Sequence, residues 1–130
     1  MVRFKVHIDE LPVLDIAGRE VRNAVNRDVS GSEQMTMQIV DVLPGAVSKP
    51  GHTHTDCEEI IFVDFGGGDI LIGDEVYPLR TGDIVFIPKG IRHMTRNFGK
   101  EKMRLICAFS SCDLKTGMCF HQDMVYPEKE

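Results

Sequence analysis

Residues 50–66 read PGHTHTDCEEIIFVDFG. The chain has five histidines in 130 residues, and two of them stand here one residue apart, with two adjacent glutamates shortly after. A solubilising loop has no need of imidazole, and a packed core does not accept this much unpartnered polarity. The stretch therefore reads as a site. On a strand, residues i and i+2 point to the same face, so His52 and His54 can reach one point. The polar trio Thr55-Asp56-Cys57 suits a bend. After it, either Glu58 or Glu59 can return to that point from the start of the next strand. Parity does not choose between them: Glu59 is in phase with Ile61 and Val63, Glu58 with Ile60 and Phe62, and both sets are apolar. The run 59–65 reads as a strand packed on both sides.

Outward from this stretch, the dominant signal is short strands punctuated by glycine turns. MTMQIVDVL (35–43) is β-rich and ends at Pro44-Gly45. DILIG (69–73) and EVYPL (75–79) flank Gly73-Asp74, which predicts a tight hairpin. DIVFIP (83–88) follows the Thr81-Gly82 turn, and HMTRNF (93–98) and MRLICAFS (103–110) flank the turn GKEK. No segment sustains a helical period. The expectation is an all-β sandwich or barrel built from hairpins. Gly66-Gly67-Gly68 lacks the Lys-Ser/Thr and following helix of a phosphate loop, and reads as turn chemistry.

The flanks are less regular. An N-terminal arm, 1–34, holds short β-like pieces, RFKVHI and EVRNAV; a mixed tail, 111–130, ends in PEKE. With a barrel core at about 35–110, the length predicts one domain, 1–130.

A third imidazole opens the strand after the Pro88–Gly90 turn. His93 would complete three imidazoles and one carboxylate on three strands, a mixed N/O metal shell. An octahedral ion held this way keeps two positions for water or substrate, the geometry of a reactive site. His7 and His121 take the ordinary reading of hydrogen-bonded or solvent-facing histidines.

These features resemble the cupin superfamily. Its first motif, G-x5-HxH-x3,4-E-x6-G, is met by Gly45, His52, His54, Glu59 and Gly66, with Gly45 one residue further upstream than the pattern asks. Its second, G-x5-PxG-x2-H-x3-N, is met without a gap by Gly82, Pro88, Gly90, His93 and Asn97. The resemblance implies a double-stranded β-helix, or jelly roll, with the site inside the barrel. It selects Glu59 over Glu58 and makes His52, His54, Glu59 and His93 the ligands of one divalent transition metal: Fe, Mn, Ni, Zn or Cu. Asn97 is then a structural or supporting position that orients the returning strand through its amide.

Cupins host many chemistries. The favoured expectation is a metalloenzyme on a small organic substrate, an oxygen-dependent, dioxygenase-like oxidoreductase. A metal-dependent sugar or keto-acid isomerase or epimerase is the first alternative, and a non-catalytic, metal-assisted ligand-binding barrel the second. A second catalytic group would favour an enzyme, and Glu58, Cys57, Tyr77 and His121 are the candidates. Cys57 is more readily a small turn residue, and the seven methionines pad the core or line an apolar pocket.

With 15 basic and 20 acidic residues the net charge is −5, which argues against nucleic acid or an anionic membrane as partner. No apolar run approaches membrane-spanning length. The N-terminal sequence lacks a signal peptide's continuous apolar region, so the expected compartment is the cytoplasm. There Cys57, Cys107, Cys112 and Cys119 are expected to be reduced thiols. The surplus apolar surface of EIIFVDF predicts a homodimer.

Overall fold

A computed structural model describes residues 2–127. The strands are β1 (Leu14–Ile16), β2 (Arg19–Val25), β3 (Thr36–Val42), β4 (Gly51–His54), β5 (Glu59–Phe65), β6 (Gly68–Ile72), β7 (Glu75–Leu79), β8 (Ile84–Ile87), β9 (His93–Arg96), β10 (Met103–Phe109) and β11 (Met118–His121), with one short helix, α1 (Arg27–Ser30), after β2. They form two sheets, ordered β1-β2-β3-β10-β5-β8 and β11-β4-β9-β6-β7. Their pairings are antiparallel throughout. This is the jelly roll that the motifs imply, with the core between the sheets.

Strand alternation decides what enters that core. Val40 and Val42 on β3, Ile61 and Val63 on β5, and Leu105, Cys107 and Phe109 on β10 point inward and meet Ile70 and Leu79 from the other sheet. The Gly73-Asp74 hairpin forms as expected, with Ile72 opposite Glu75. Gly66 has φ +80°, and a β-carbon there would meet the Lys102 carbonyl oxygen at 2.6 Å, so no other residue makes this turn without moving its neighbour. The 97–102 turn joins strands of opposite sheets. Asn97, fully buried, holds it: its amide nitrogen donates to the carbonyls of Val42 at 3.0 Å and Glu101 at 2.7 Å, and its oxygen accepts from Gly99 N–H at 2.9 Å. Its role is to shape this corner.

The flanks depart from the sequence reading. β1 and β2 extend the six-stranded sheet, and β11 adds an edge to the other, so the barrel reaches beyond 35–110. RFKVHI forms no strand. Val6 and Ile8, with Leu11, lie over Ala24, Met37, Ile39 and Ile106 on the outer face of the six-stranded sheet, where burial of the apolar side chains outweighs edge pairing. His7 caps the short 3-10 turn Ile8–Glu10, its Nδ1 accepting from Asp9 N–H. Met124 and Tyr126 likewise cover Leu71 and Met94 on the other sheet. The last three residues of PEKE lie outside the described residues.

EIIFVDF is packed on one face only. Ile61 and Val63 are buried, whereas Ile60 is 51% and Phe62 39% exposed. Their cross-strand neighbours on edge strand β8, Phe86 and Ile84, are 55% and 71% exposed. Among the described residues no helix is long and apolar enough to cross a membrane.

Candidate metal centre

His52 and His54 project from β4, and β4 pairs with β9 so that His52 and His93 are direct neighbours across the ladder. Glu59 opens β5 on the opposite sheet. It shares the inward phase of Ile61 and Val63 and is buried, while Glu58 points to solvent. The fold thus settles what parity left open, because Ile60 and Phe62 line the outside.

One ligand atom from each of His52, His54, Glu59 and His93 falls within 4.8 Å of all the others. Glu59 Oε1 lies 3.0 Å from His93 Nε2 and 3.7 Å from His54 Nε2. The imidazole centroids are 4.4–5.8 Å apart. Phe109 meets His54 edge-on at 5.1 Å and restrains its ring. His93 Nδ1 is 3.0 Å from the Ile91 carbonyl oxygen. A carbonyl only accepts, so Nδ1 carries the proton and Nε2 presents a lone pair to Glu59. The two do not form an aligned hydrogen bond, despite their separation.

Among the described residues, eight buried side-chain polar atoms lack a hydrogen-bond partner, and five belong here: His52 Nδ1, both His54 nitrogens, Glu59 Oε1 and His93 Nε2. Buried polar atoms are normally partnered. One such atom from each of the four residues can face a shared cation, and a single proton satisfies only one pair. Burial, reinforced by His93 and His54, pushes the His52 pKa down to about 2. Burial also lowers His54. Burial would lower His93 too, but the Glu59 carboxylate outweighs it and the net shift is upward. Imidazole nitrogens and a carboxylate suit divalent first-row ions, which displace a proton where the site holds one, so this group can hold one.

The cluster forms one wall of a cavity of about 210 Å³ between the sheets. Val21, Val40, Leu105 and Phe109 make much of the rest apolar; Leu114, Lys115 and Met118 also line it. Two residues missed by sequence reasoning also line it. Cys107, buried on β10, has its thiol pKa raised well above the ordinary value by burial and then by Glu59. Arg19 reaches in from β2. Its signal was strand parity with Val21, in a flank that had read as irregular.

None of the four candidate catalytic residues lines the cavity. Glu58 is exposed because it sits one residue out of phase with Glu59. Cys57 turns into the hydrophobic core. Tyr77 is exposed on β7, its hydroxyl donating to Glu75. His121 lies 3.3 Å from the Thr53 hydroxyl, and Thr53 alternates with the two β4 histidines.

Known proteins bear on the fold and its lineage. The chain is 33% identical to protein SchB of Streptomyces halstedii over 102 residues, 78% of this chain and 72% of that one. Its structure superimposes on the Lactobacillus farciminis oxalate decarboxylase with a TM-score of 0.80 at 18% identity, covering 92% of this chain but 36% of that protein. It matches the polyketide cyclase RemF of Streptomyces resistomycificus with a TM-score of 0.73 at 18% identity, covering 86% and 81%. At such identities the two structures speak for the fold alone. Residues 38–109 match the family model described as the cupin domain, so the chain belongs to the cupin family.

Proposed function

We propose that His52, His54, Glu59 and His93 hold one divalent transition metal (Fe, Mn, Ni, Zn or Cu), and that the chain is an oxygen-dependent metalloenzyme acting on a small, largely apolar substrate with paired oxygen donors. The observation that carries this reading is the convergence of four buried donor residues, with five of their polar atoms left without partners, on one wall of a largely apolar cavity. When bound, the ion supplies a Lewis-acidic and, for the redox-active members of the set, electron-transferring centre beside the substrate.

The protein's own groups do the rest. The Ile91 carbonyl fixes the His93 tautomer, and Phe109 restrains His54. The cavity volume suits a ring-sized body.

An isomerase or epimerase needs a base near neutrality besides the ligands. Among the described residues lining the cavity, the titratable groups outside the ligand set are Arg19, Lys115 and Cys107, and the Cys107 thiol stays protonated. Oxygen chemistry on a chelated substrate places no such demand. The same lack of a base supports the ligand-binding barrel as a second reading.

The test is turnover of a panel of diketones, catechols, keto acids and sugars by the iron-loaded protein, in air and under argon. Turnover confined to air is expected. Equal rates under argon refute the oxygen requirement, and tight binding without turnover transfers the case to the binding module.

The bare apolar pairs Ile60–Phe86 and Phe62–Ile84 support a homodimer through this face. A two-fold contact brings the same patch from both copies together, and the surface between β5 and β8 carries four large apolar side chains. The four free thiols fit a reducing, cytoplasmic setting.

A further inference from the structure

Arg19 is outside the ligand set, yet it lines the same cavity. Its place is fixed locally. Gly18, at φ +81°, lies too close to the Val47 carbonyl oxygen for any β-carbon. The Gly18 carbonyl also accepts from Leu43 N–H at 3.0 Å. These contacts pin the β1–β2 turn against the 43–48 loop. That loop supplies buried Ser48, whose hydroxyl accepts from Arg19 Nη1.

Among the described residues, Ser48 is the one side-chain partner of this guanidinium, and no carboxylate lies within ion-pair distance. A guanidinium presents five N–H donors. The barrel's other part-buried arginines are matched: Arg22 and Arg104 share Asp41, and Arg96 holds Asp69 at 2.6 Å. Burial lowers the Arg19 pKa, with Cys107 and Glu59 offsetting only part of it. Lys115 places a second cation on the cavity lining, and Glu59 is the lining's one carboxylate. A chain of net charge −5 has thus built a cavity with a surplus of positive charge, and a divalent ion on the four-donor cluster would raise that surplus further.

We propose that Arg19 anchors a carboxylate of the substrate, and that the cavity selects small acids with a compact apolar body. The free N–H donors of the guanidinium fit the two oxygens of a carboxylate in a fork. The apolar side chains Val21, Val40, Leu105 and Phe109 pack the body, and the four-donor cluster faces the reacting end. This deepens the reading above, because it rests on the cavity being the substrate site.

The experiment titrates the manganese-loaded wild type, its metal content measured, with benzoate and with benzamide, a neutral molecule of the same shape. Benzoate should bind about tenfold or more tightly than benzamide, the scale of hydrogen bonds to a charged group. Arg19→Met should remove that preference by weakening benzoate alone, with manganese content unchanged. Ser48→Ala, which frees the guanidinium from its one partner, should weaken benzoate by a smaller factor. Should Arg19→Met fail to fold, Arg19→Gln carries the same test.

Undiminished benzoate binding in the charge-free variant overturns the proposal. So does equal weakening of both probes, which would mark Arg19 as structural, and so does a wild type with no preference. If the wild type takes up neither manganese nor iron, nickel, zinc or copper, the metal reading fails by itself. The same titrations on the protein as purified then still decide the anchor.

Discussion

Two buried polar clusters sit on opposite sides of the six-stranded sheet, and they are resolved in opposite ways. On the outer side, Asp41 is 1% exposed and fully matched. Arg104, its cross-strand neighbour, grips both oxygens at 2.7 and 2.9 Å, and Arg22 adds a third contact at 3.3 Å. On the inner side, His52, His54, Glu59 and His93 are packed as tightly and leave five atoms without partners. Burial is similar; satisfaction is not. The matched cluster contributes to holding the fold, whereas the unmatched one keeps its lone pairs available to something the chain does not itself contain. A protein tolerates such frustration where function requires it.

That contrast can be broken by mutation. The largest effect is expected on the matched side. Asp41→Ala leaves two part-buried guanidinium groups without their shared carboxylate and should cost about 3–5 kcal/mol of unfolding free energy, as removal of one partner from a buried ion pair does. Denaturant titration measures it. A loss below about 1 kcal/mol, the scale of an exposed pair, would mean that the cluster is ornamental to stability.

On the unmatched side the metal-free protein should respond the other way. Glu59→Gln replaces a buried carboxylate oxygen facing a lone pair with an amide able to donate to His93 Nε2. Metal-free stability should therefore hold or rise by about 1 kcal/mol, while metal affinity falls because a charge leaves the donor set. Glu58→Gln, on the exposed side of the strand, should alter neither. Thermal melts with and without added metal, beside metal titrations, separate these outcomes. The reverse ranking of the two glutamates would move the carboxylate by one residue.

Acid should unmake the matched cluster. Burial alone would raise the Asp41 pKa, but the hydrogen bonds and charge of Arg104, with Arg22 behind, hold it below the usual carboxylate range. A depressed folded-state pKa contributes stability that is fully present above the unfolded value of about 3.9 and is lost as pH falls through the folded one. Stability measured against pH should decline below that point. Asp41→Asn should flatten this part of the acid limb.

The smallest energetic effect is expected where neither cluster is involved. Phe86→Asp on the bare face should change monomer stability by only about 0.5 kcal/mol, yet it should dissociate the proposed dimer as seen by light scattering. A wild type that is monomeric at micromolar concentration removes the dimer from the account.

How much of this was legible in the sequence depended on distance along the chain. The histidines of β4 and Glu59 lie within eight residues, and strand parity with the flanking turns carries that much. His93 is remote, but its own turn, Pro88 to Gly90, marks it. The Glu58–Glu59 ambiguity arose because β5 is apolar on both sides; the motif spacing selected Glu59, and the bare outer surface of β5 and β8 gives the physical reason. Cys107 was invisible as a site residue because no local pattern distinguishes a cysteine facing a cavity from one facing a core, and the parity of Arg19 with Val21 lay in a flank that had read as irregular. Their neighbours come from strands far away in sequence. The arm misled for a related reason: alternating Val6 and Ile8 look like a strand, but their partners are on the face of a sheet and not at its edge.

Metal stoichiometry tests the four-donor site most directly. Wild-type protein purified without chelator or affinity tag should carry one divalent transition ion per chain by elemental analysis. The double variant His52→Ala, His54→Ala should carry essentially none while keeping its β-sheet circular dichroism and cooperative melt, since the core of Ile61, Val63, Leu105 and Ile70 does not depend on the ion. Full occupancy in the double variant would contradict the claim that these donors hold a metal.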